Sequence, residues 1–449
     1  MLNDLTLHDL TSMTGDVTSG NLMLDDLKSS DLMLKDLKEL IKIKSVTGCA
    51  PEGDMPYGRN VYEALAYVLN LCEQYGFKTK NCNNLLGWAE TGEGDELIAV
   101  LCHLDVVPAG DGWDFAPFDL TVKDGIAYGR GVVDDKGPAI CAIHALKELN
   151  ESGKKLNKRI RIIFGCQEEC GDWEDMEYYR NNEELPSCGF TPDSDFPVVY
   201  GEKGVLFYDM KYPLKGSGIK HIKGGTAANV VPDAVELTLD SGEQLSFTGI
   251  SAHGSTPEEG ENAITNAMAA LTDKSTKNKS SFAEKYMRLI GYATDGSNAG
   301  CGLHDEESGK LSMNIGMIDS DDEYIYLKVD TRYPVTFEHE FVEKSFREPF
   351  EAAGFTVEVT EYEAPLFENA NSALVQNLVE AYREVSGRDE KPIVSGGGTY
   401  AKAMANIVAA GPVFPGEPCT EHMANERISV KELKMCKEIY KEALIKLCN

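Results

Sequence analysis

This sequence lacks the features that would assign it to several large classes of protein. It contains no run of about 18 consecutive apolar residues, so no membrane-spanning helix is expected. Residues 1–10 carry acids and no basic stretch ahead of an apolar core, which argues against a standard secretory signal. The 12 cysteines are scattered without a paired framework, and a chain of 449 residues does not depend on disulfides, so reduced thiols in the cytoplasm are expected.

Positive charge is also scarce. The 43 Lys and Arg residues are outnumbered by 74 Asp and Glu residues, which gives a formal net charge of −31. Because this charge repels phosphate backbones and anionic lipids, neither nucleic acid nor a membrane is expected as a partner. The 42% hydrophobic content is ordinary for a soluble protein, and the length predicts two or three domains.

The order of elements in the first half of the chain predicts an α/β fold. Residues 57–77 have the apolar spacing of one helical face, and residues 97–101 are a short apolar run, typical of a buried strand, that ends at His103. Residues 138–151 predict a helix, and residues 159–165 predict a second strand that leads to an acidic pair. This order favours a mostly parallel sheet with helices on both faces, in which ligands bind beyond the carboxyl ends of the strands.

The pattern changes after residue 204 and predicts an inserted domain. The following stretch is rich in strand patterns with one clear helix over residues 262–272, and helical patterns return over residues 372–386 and 431–447. The predicted organisation has four segments: a leader of unknown role, loose or a single amphipathic helix, over 1–30; the first segment of a catalytic domain over 31–204; an inserted α+β lid domain over 205–362; and the second segment of the catalytic domain over 363–449.

Polar residues that suit a metal site follow the predicted strands. His103 is followed by Asp105, whose carboxylate would accept the second imidazole N–H, as is usual for a metal-bound histidine; a histidine satisfied in the core is the alternative. Asp134 and Asp135 end a glycine-rich loop that enters a helix, so they suit either a helix N-cap or a metal bridge. Phosphate binding by this loop is disfavoured because the acids would repel it and the P-loop spacing is absent.

The adjacent acids Glu168 and Glu169 are more informative. Two neighbouring carboxylates repel each other unless a cation lies between them or one is protonated. One of them can bind metal while the other moves protons, although a plain surface pair is the alternative. A zinc site at Cys166 and Cys170 is disfavoured, since no second thiol pair lies nearby in the sequence.

Two further residues complete a candidate ligand set. Asp193 precedes another apolar step, and His422 lies in a polar loop, where a single histidine is more often structural than a ligand. Taken together, two histidines and three or four carboxylates suit zinc with mixed nitrogen and oxygen ligands and open positions.

Nine segments in chain order resemble the M20 metallopeptidase family, and within it the PepV-like dipeptidase branch. They are HLDVVPAGDGW from His103, YGRGVVDDKGP from Tyr128, QEECGDW from Gln167, TPDSDFP from Thr191, GTAANVVP from Gly225, SAHGSTP from Ser251, TRYP from Thr331, SGGGTY from Ser395 and EHMANE from Glu421. The resemblance implies a zinc-peptidase-like catalytic domain with a lid, and cleavage of the peptide bond of dipeptides by a monomer, with a homodimer as the alternative.

The resemblance also implies a two-metal centre. His103 and Asp193 would bind one divalent ion, Glu169 and His422 would bind a second, and Asp134 would bridge the two. Zinc is the expected metal, with manganese or cobalt as alternatives.

The remaining implied roles concern catalysis and substrate. Glu168 would be the general base, Asp105 would orient His103, and His253 in the lid would stabilise the oxyanion. The substrate would be bound by a further set of residues: Asn229, Arg332, Gly396, Gly397, Gly398 and Thr399, the last four through backbone N–H groups that meet its carboxylate.

Two departures from the family pattern accompany these expectations. Lys402 stands where close relatives carry Arg, which puts bidentate carboxylate recognition there in question, and the inserted domain is shorter than in that branch. Two other functions stay open at this point. An N-acyl amino acid deacylase, such as a desuccinylase, would use the same metal chemistry, whereas a non-catalytic metal-binding protein would be expected to have lost some of the ligands.

Overall fold

The computed structural model describes residues 31–171, 173–273 and 280–449, so the leader expected over residues 1–30 lies outside the described residues. The α-helices in these ranges, in chain order, are α1 Leu32–Ile41, α2 Arg59–Gln74, α3 Lys136–Glu151, α4 Glu174–Asn182, α5 Ala263–Thr272, α6 Ser281–Leu289, α7 His339–Ala352, α8 Ala373–Ser386 and α9 Val430–Leu447.

The strands of the described residues form two large sheets and three small ones. In chain order they are β1 Lys78–Cys82, β2 Leu86–Thr91, β3 Leu97–His103, β4 Thr121–Lys123, β5 Ile126–Tyr128, β6 Arg159–Gly165, β7 Cys188–Thr191, β8 Ser194–Asp195, β9 Val199–Glu202, β10 Gly204–Pro213, β11 Ile219–Gly224, β12 Ala234–Leu239, β13 Gln244–Thr248, β14 His304–Asp305, β15 Gly309–Lys310, β16 Ser312–Ser320, β17 Tyr324–Tyr333, β18 Thr356–Glu363, β19 Leu366–Phe367, β20 Ile393–Ser395, β21 Ile407–Ala409, β22 Pro412–Val413 and β23 Arg427–Ser429.

The first large sheet has the order β1-β2-β6-β3-β7-β21-β9-β19, and β20 pairs with β9. Its central strands β6, β3, β7 and β21 run parallel to one another. Antiparallel pairs complete the sheet on both sides, β1 with β2 and β2 with β6 at one edge, β9 with β19 at the other. The structure confirms the predicted α/β fold, with the parallel strands concentrated at the centre of the sheet.

Side chains of β3 alternate between two separate cores. Ile98, Val100 and Cys102 face a core that contains residues of α1, α2, α3, α8 and α9, whereas Ala99 and Leu101 face a smaller core that contains residues of α4. This alternation is the period of two that a strand imposes. Because both faces are covered, β3 is buried along its whole length, as its continuous apolar sequence predicts.

The predicted helices and strands around the first sheet are confirmed within a few residues. Helix α2 buries the apolar face predicted from its spacing, and Gly76 follows it with a φ of 83°, a left-handed conformation that glycine adopts without strain. Helix α3 begins two residues before the predicted start, and β6 has the predicted limits. None of the helices in the described ranges combines the length and apolarity that a membrane span requires.

The second large sheet lies between Gly204 and Glu363 and has the order β13-β12-β11-β16-β17-β10-β18, with antiparallel pairs throughout. It packs against α5, α6 and α7 around a core of its own. The helix predicted over residues 262–272 is confirmed as α5, but the expectation of one clear helix in this stretch is wrong, because its described residues contain three α-helices. Helix α6 is only nine residues long, and α7 buries a narrow apolar stripe of Val342, Phe346 and Phe350 among charged residues.

Candidate metal centre and active-site cavity

The carboxyl ends of three parallel strands bring together three of the five candidate metal ligands and the candidate general base. His103 is the last residue of β3, and it pairs in register with Gly165 at the end of β6. Glu168 and Glu169 follow β6 in a short 3-10 helix, and Asp193 comes two residues after the end of β7. Since β6, β3 and β7 are parallel neighbours, their carboxyl ends meet at one edge of the sheet, where parallel sheets bind ligands.

Asp134 lies between the two histidines. Its Oδ1 is 2.8 Å from His103 Nε2, and its Oδ2 is 3.0 Å from His422 Nε2. His422 Nε2 is also 3.0 Å from Glu169 Oε2, and His103 Nε2 is 3.5 Å from Asp193 Oδ2. The structure therefore brings the five candidate metal ligands together in two groups that share one carboxylate.

Positive charge stabilises the crowded carboxylates of this cluster. Burial, followed by the charge of Asp134, raises the pKa of both Glu169 and Asp193 to about 7. Burial would lower the pKa of His422, but its hydrogen bonds to Asp134 and Glu169 outweigh this effect and raise it to about 11. In the protein without bound metal, the protonated imidazole of His422 is thus the positive charge that balances the carboxylates of Asp134 and Glu169. The mixed nitrogen and oxygen donor set fits divalent cations, which would take the place of those protons on binding.

Glu168 is as close to the cluster as the ligands are. Donor atoms of His103, Asp134 and Glu169 lie within 4.8 Å of one another, and so do those of His103, Glu168 and Asp193. Burial, followed by the charge of Asp193, raises the pKa of Glu168 well above its usual value. Glu168 is thus in a position to exchange a proton with a group bound at this cluster, and by distance alone it could also be a ligand.

Asp105 orients His103 in a different way from the one predicted. His103 Nδ1 is 2.9 Å from the backbone carbonyl oxygen of Asp105 and 3.5 Å from its carboxylate. The carboxylate instead accepts the backbone N–H groups of Glu168 at 3.2 Å and Glu169 at 3.1 Å. Asp105 therefore fixes two regions of the site at once: its carbonyl holds the imidazole, and its carboxylate holds the turn that carries the acidic pair.

The adjacent acids of the glycine-rich loop have separate partners. Asp134 faces the histidines, while Asp135 is fully buried and accepts the backbone N–H of His103 at 3.1 Å through Oδ2. The peptide bond between the two aspartates is cis. Asp135 occupies the N-cap position of α3, as the N-cap interpretation predicts, but its side chain makes no capping hydrogen bond to the helix.

Glu426 is a site residue that the sequence analysis missed. Its buried carboxylate accepts the backbone N–H groups of Gly131 at 2.9 Å, Val133 at 2.8 Å and Asp134 at 3.3 Å, and it pairs with Arg130 Nη1 at 2.7 Å. It thereby ties the loop of Asp134 to the segment that carries His422. The sequence feature that could have indicated this role is the position of Glu426 in the EHMANE segment. An acidic residue among other polar residues, however, is also typical of a solvent-exposed loop.

A cavity of about 610 Å³ opens onto the metal-ligand cluster. His253, from the region of the second sheet, lines it together with the acids of the cluster, as do the apolar residues Val413 and Met423. Asn229 is exposed, and its neighbour Val230 lines the same cavity. One chain thus places groups from both large sheets around a single space.

Arg332, which was expected to bind the substrate, is already bound to a carboxylate of the same chain. Its Nε and Nη2 donate to Asp330 Oδ1 at 2.8 Å and Oδ2 at 3.0 Å, and the side chain is buried. The two residues are two positions apart on β17, so their side chains lie on the same face of the strand. The guanidinium already has an internal carboxylate partner, and Nη1 is the nitrogen that this pair leaves unused.

The glycine loop is also partly committed to internal bonds. Gly397 N–H donates to Ser395 Oγ at 3.0 Å, and Thr399 donates its N–H at 3.0 Å and its hydroxyl at 2.7 Å to the buried carboxylate of Glu202. The expectation that Gly397 and Thr399 offer N–H groups to substrate is therefore wrong for this arrangement. Gly396 and Gly398 are the loop residues whose N–H groups make no hydrogen bond within the described portion of the chain.

A cluster of histidines and carboxylates at the strand ends of an α/β sheet, under a cavity shared with a second sheet, suits a metal-dependent hydrolase. The family model described as peptidase family M20/M25/M40 matches residues 99–446. This chain belongs to that family, and it is a metallopeptidase.

Individual relatives agree with this assignment. "Putative dipeptidase" of Staphylococcus epidermidis is 34% identical over 453 residues, which cover 92% of this chain and 96% of the relative. "Putative dipeptidase YtjP" of Bacillus subtilis is 33% identical over 452 residues with the same coverage of 92% and 96%. Among solved structures, human carnosine dipeptidase 1 has a TM-score of 0.63 at 17% identity over 93% of this chain and 96% of that one. The M20 family metallo-carboxypeptidase Sso-CP2 from Sulfolobus solfataricus has a TM-score of 0.62 at 18% identity, over 93% and 99% of the two chains. This chain has the same fold as these two structures.

Proposed function

We propose that this protein hydrolyses the peptide bond of free dipeptides with two divalent metal ions, zinc in the first instance and manganese or cobalt as alternatives. The observation that carries the proposal is the position of Asp134, with one carboxylate oxygen beside each histidine under a cavity of about 610 Å³. His103 and Asp193 would hold one ion, and Glu169 and His422 the other. A pair of bound divalent ions polarises a carbonyl and lowers the pKa of water.

Glu168 is the proposed general base. It takes a proton from the attacking water onto its carboxylate and returns the proton to the leaving amine, so no covalent intermediate is needed. Desolvation raises the pKa of its half-buried carboxyl, which favours holding a proton between these two steps. Asp105 supports the base through the N–H of Glu168, and Glu426 supports Asp134 in the same manner.

His253 is the proposed oxyanion donor, and the region 205–362 is the proposed lid that carries it. The negative charge on the scissile carbonyl oxygen grows in the transition state, so a donor aimed at that oxygen accelerates the reaction. Asp195 and Glu421 line the same cavity without belonging to the metal-ligand set, and they would favour a free ammonium at the substrate's amino end. The N–H groups of Gly396 and Gly398 would meet the carboxylate at the other end.

The scattered cysteines support a cytoplasmic location. The joint lining of one cavity by His253 and Glu168 of the same chain supports a protein that is active as a monomer.

The test is a comparison of substrates with the metal-loaded protein. Free dipeptides are expected to be hydrolysed faster than N-acyl amino acids, and chelation is expected to abolish the activity. The C-terminal amides of the same dipeptides should react at least about tenfold more slowly, because a hydrogen bond to a charged group contributes about 1.5–3 kcal/mol.

Three results would contradict elements of this proposal. Faster turnover of N-acyl amino acids than of any dipeptide would identify a deacylase. Equal rates on a dipeptide and its amide would remove the carboxylate anchor. Hydrolysis of neither class by fully metal-loaded protein would favour the non-catalytic alternative.

A further inference from the structure

The imidazole of His253 is held through one of its two nitrogens. Nδ1 lies 3.2 Å from the backbone nitrogen of Ser255 and 2.7 Å from its hydroxyl oxygen. A backbone N–H can only donate, so Nδ1 must present its lone pair to Ser255. In the neutral ring the proton then resides on Nε2, at the opposite side of the ring.

We propose that Ser255 is a positioning residue that holds His253 in its neutral, Nε2-protonated tautomer, so that the ring presents an N–H donor to the scissile carbonyl oxygen. This inference rests on the proposed function, because it assigns a purpose to the side chain that would stabilise the oxyanion. It concerns a residue to which the proposed mechanism gives no other role.

The tautomer matters because the two neutral forms act in opposite ways. With the proton on Nε2, the ring donates to an oxygen whose negative charge grows in the transition state. With the proton on Nδ1, Nε2 would present a lone pair to that oxygen and repel it. Ser255 supplies two donors to Nδ1 and therefore stabilises the productive form alone.

The surroundings of the ring also favour the neutral form. Partial burial, reinforced by the charge of Arg332, lowers the pKa of His253 below its usual value. A neutral ring has only one proton to place, so the bonds of Nδ1 determine which nitrogen carries it.

Ser255 lies directly against the glycine loop. A side-chain carbon placed on Gly396 would lie 3.1 Å from the Cβ of Ser255, which is tighter than an ordinary contact. Ser255 thus lies where the region of the second sheet meets the loop proposed to bind the substrate carboxylate. The side chain that contacts His253 Nδ1 therefore also lies next to that loop.

The primary test is spectroscopic and needs no substrate. The metal-loaded, full-length protein is labelled with ¹⁵N-histidine, and the His253 signals are assigned by their loss in His253→Asn. We expect an unprotonated Nδ1 and a protonated Nε2 in the wild type. In Ser255→Ala, where only the backbone N–H remains to hold Nδ1, we expect a measurable fraction of the Nδ1-protonated form, and Ser255→Thr, which retains a hydroxyl, should restore the wild-type pattern.

The kinetic arm uses the same variants. Loss of one neutral hydrogen bond corresponds to about a 2- to 10-fold change, and we expect it in kcat with KM little altered, because the donor acts in the transition state. Ser345→Ala is the matched control, since its hydroxyl donates to a backbone carbonyl on α7 in the same region of the chain. It should change neither the spectrum nor the kinetics. Thermal unfolding of each variant verifies that it is folded.

Two outcomes would overturn the inference: a wild-type His253 protonated on Nδ1, or a Ser255→Ala variant with both tautomer and kcat unchanged. Failure of the proposed function has a different signature. In that case no dipeptide is cleaved by any form of the protein, while the tautomer of His253 and its response to Ser255→Ala are still observed.

Discussion

Two pairs of adjacent acids show how individual residues acquire separate roles in this site. Asp134 contacts both histidines, whereas Asp135 binds the backbone of His103 from within the core. Glu169 contacts His422. Glu168 instead lines the cavity, and within the described residues it makes no hydrogen bond to His103 or His422. In each pair, one carboxylate contacts a histidine through its side chain, and the other has a different set of neighbours: the backbone of His103 for Asp135, and the cavity beside His103 and Asp193 for Glu168.

The acidic pair Glu168–Glu169 gives the first prediction at the residue scale. Glu168→Gln should retain both metal ions and lose activity by about 10²–10⁴-fold, because an amide cannot accept the proton that a general base takes. Glu169→Gln should instead lose metal, because it removes a charged donor beside His422. Elemental analysis of the purified variants, together with initial rates on a dipeptide, separates the two effects.

Either of two results would reverse these assignments. Glu168→Gln protein with near wild-type activity would show that another group is the base. Loss of metal from Glu168→Gln would make Glu168 a ligand, consistent with its place beside His103 and Asp193.

At the scale of elements, Lys402 contacts both chain segments that connect the two large sheets. Its Nζ donates to the backbone carbonyl of Lys203 at 2.9 Å and to Glu363 Oε2 at 3.1 Å, and 4% of the side chain is exposed. Lys203 immediately precedes β10, and Glu363 ends β18, so the lysine joins both strands through which the chain enters and leaves the second sheet. The residue that departs from the family pattern therefore has an internal partner at the base of the glycine loop.

Lys402→Met is the prediction at this scale. The substitution keeps the length of the side chain but leaves Glu363 without its cation, so we expect a loss of about 1–3 kcal/mol in the free energy of unfolding. We also expect a higher KM for dipeptides, because Lys402 and Glu363 lie next to Gly398: a side-chain carbon placed on this glycine would lie 3.1 Å from Lys402 Nζ and 2.7 Å from Glu363 Oε2. Denaturant unfolding and steady-state kinetics measure the two effects.

Lys344→Met is the control for this experiment. Lys344 belongs to an exposed i,i+4 pair with Glu348, and such pairs contribute only about 0.3–0.5 kcal/mol. A Lys402→Met protein as stable as Lys344→Met, with an unchanged KM, would show that Lys402 does not join these elements energetically. Some of the lost stability should return in the double variant Lys402→Met, Glu363→Gln, which removes the unpaired charge.

At the scale of the whole molecule, the cavity is completed within one chain. His253 comes from the region of the second sheet and Glu168 from the first, yet both line the same space. A monomer therefore contains every proposed catalytic group. A dimer that exchanged lids would instead supply His253 from its partner.

A mixing experiment tests this arrangement. Glu168→Gln and His253→Ala proteins are each expected to be almost inactive, and co-refolded mixtures of the two should remain so, because each chain lacks one group of its own cavity. Activity that returns in proportion to the fraction of mixed dimers would demonstrate that His253 acts across a subunit interface. Sedimentation analysis of the same samples gives the oligomeric state independently.

The central elements of the first sheet, and the residue types at their ends, could be predicted from the sequence. The buried strand that ends at His103, the strand that leads to Glu168, and helix α2 were all recoverable because hydrophobic periodicity reflects burial residue by residue. The ordered motifs identified the candidate metal ligands, since a metal site restricts the residue type at each ligand position. Helices α6 and α7 were not predicted, because their apolar faces contain few residues.

Which atoms of these residues meet could not be predicted in the same way. Asp105 uses its carbonyl on His103, and Arg332 is bound by Asp330. Glu426 pairs with Arg130 although 296 positions separate them in the chain. Periodicity and motifs describe neighbours along the chain, whereas these contacts depend on how loops from distant segments are aimed when the two sheets pack. The direction of each carboxylate, and with it the division between ligand, base and support, is therefore a property of the folded molecule.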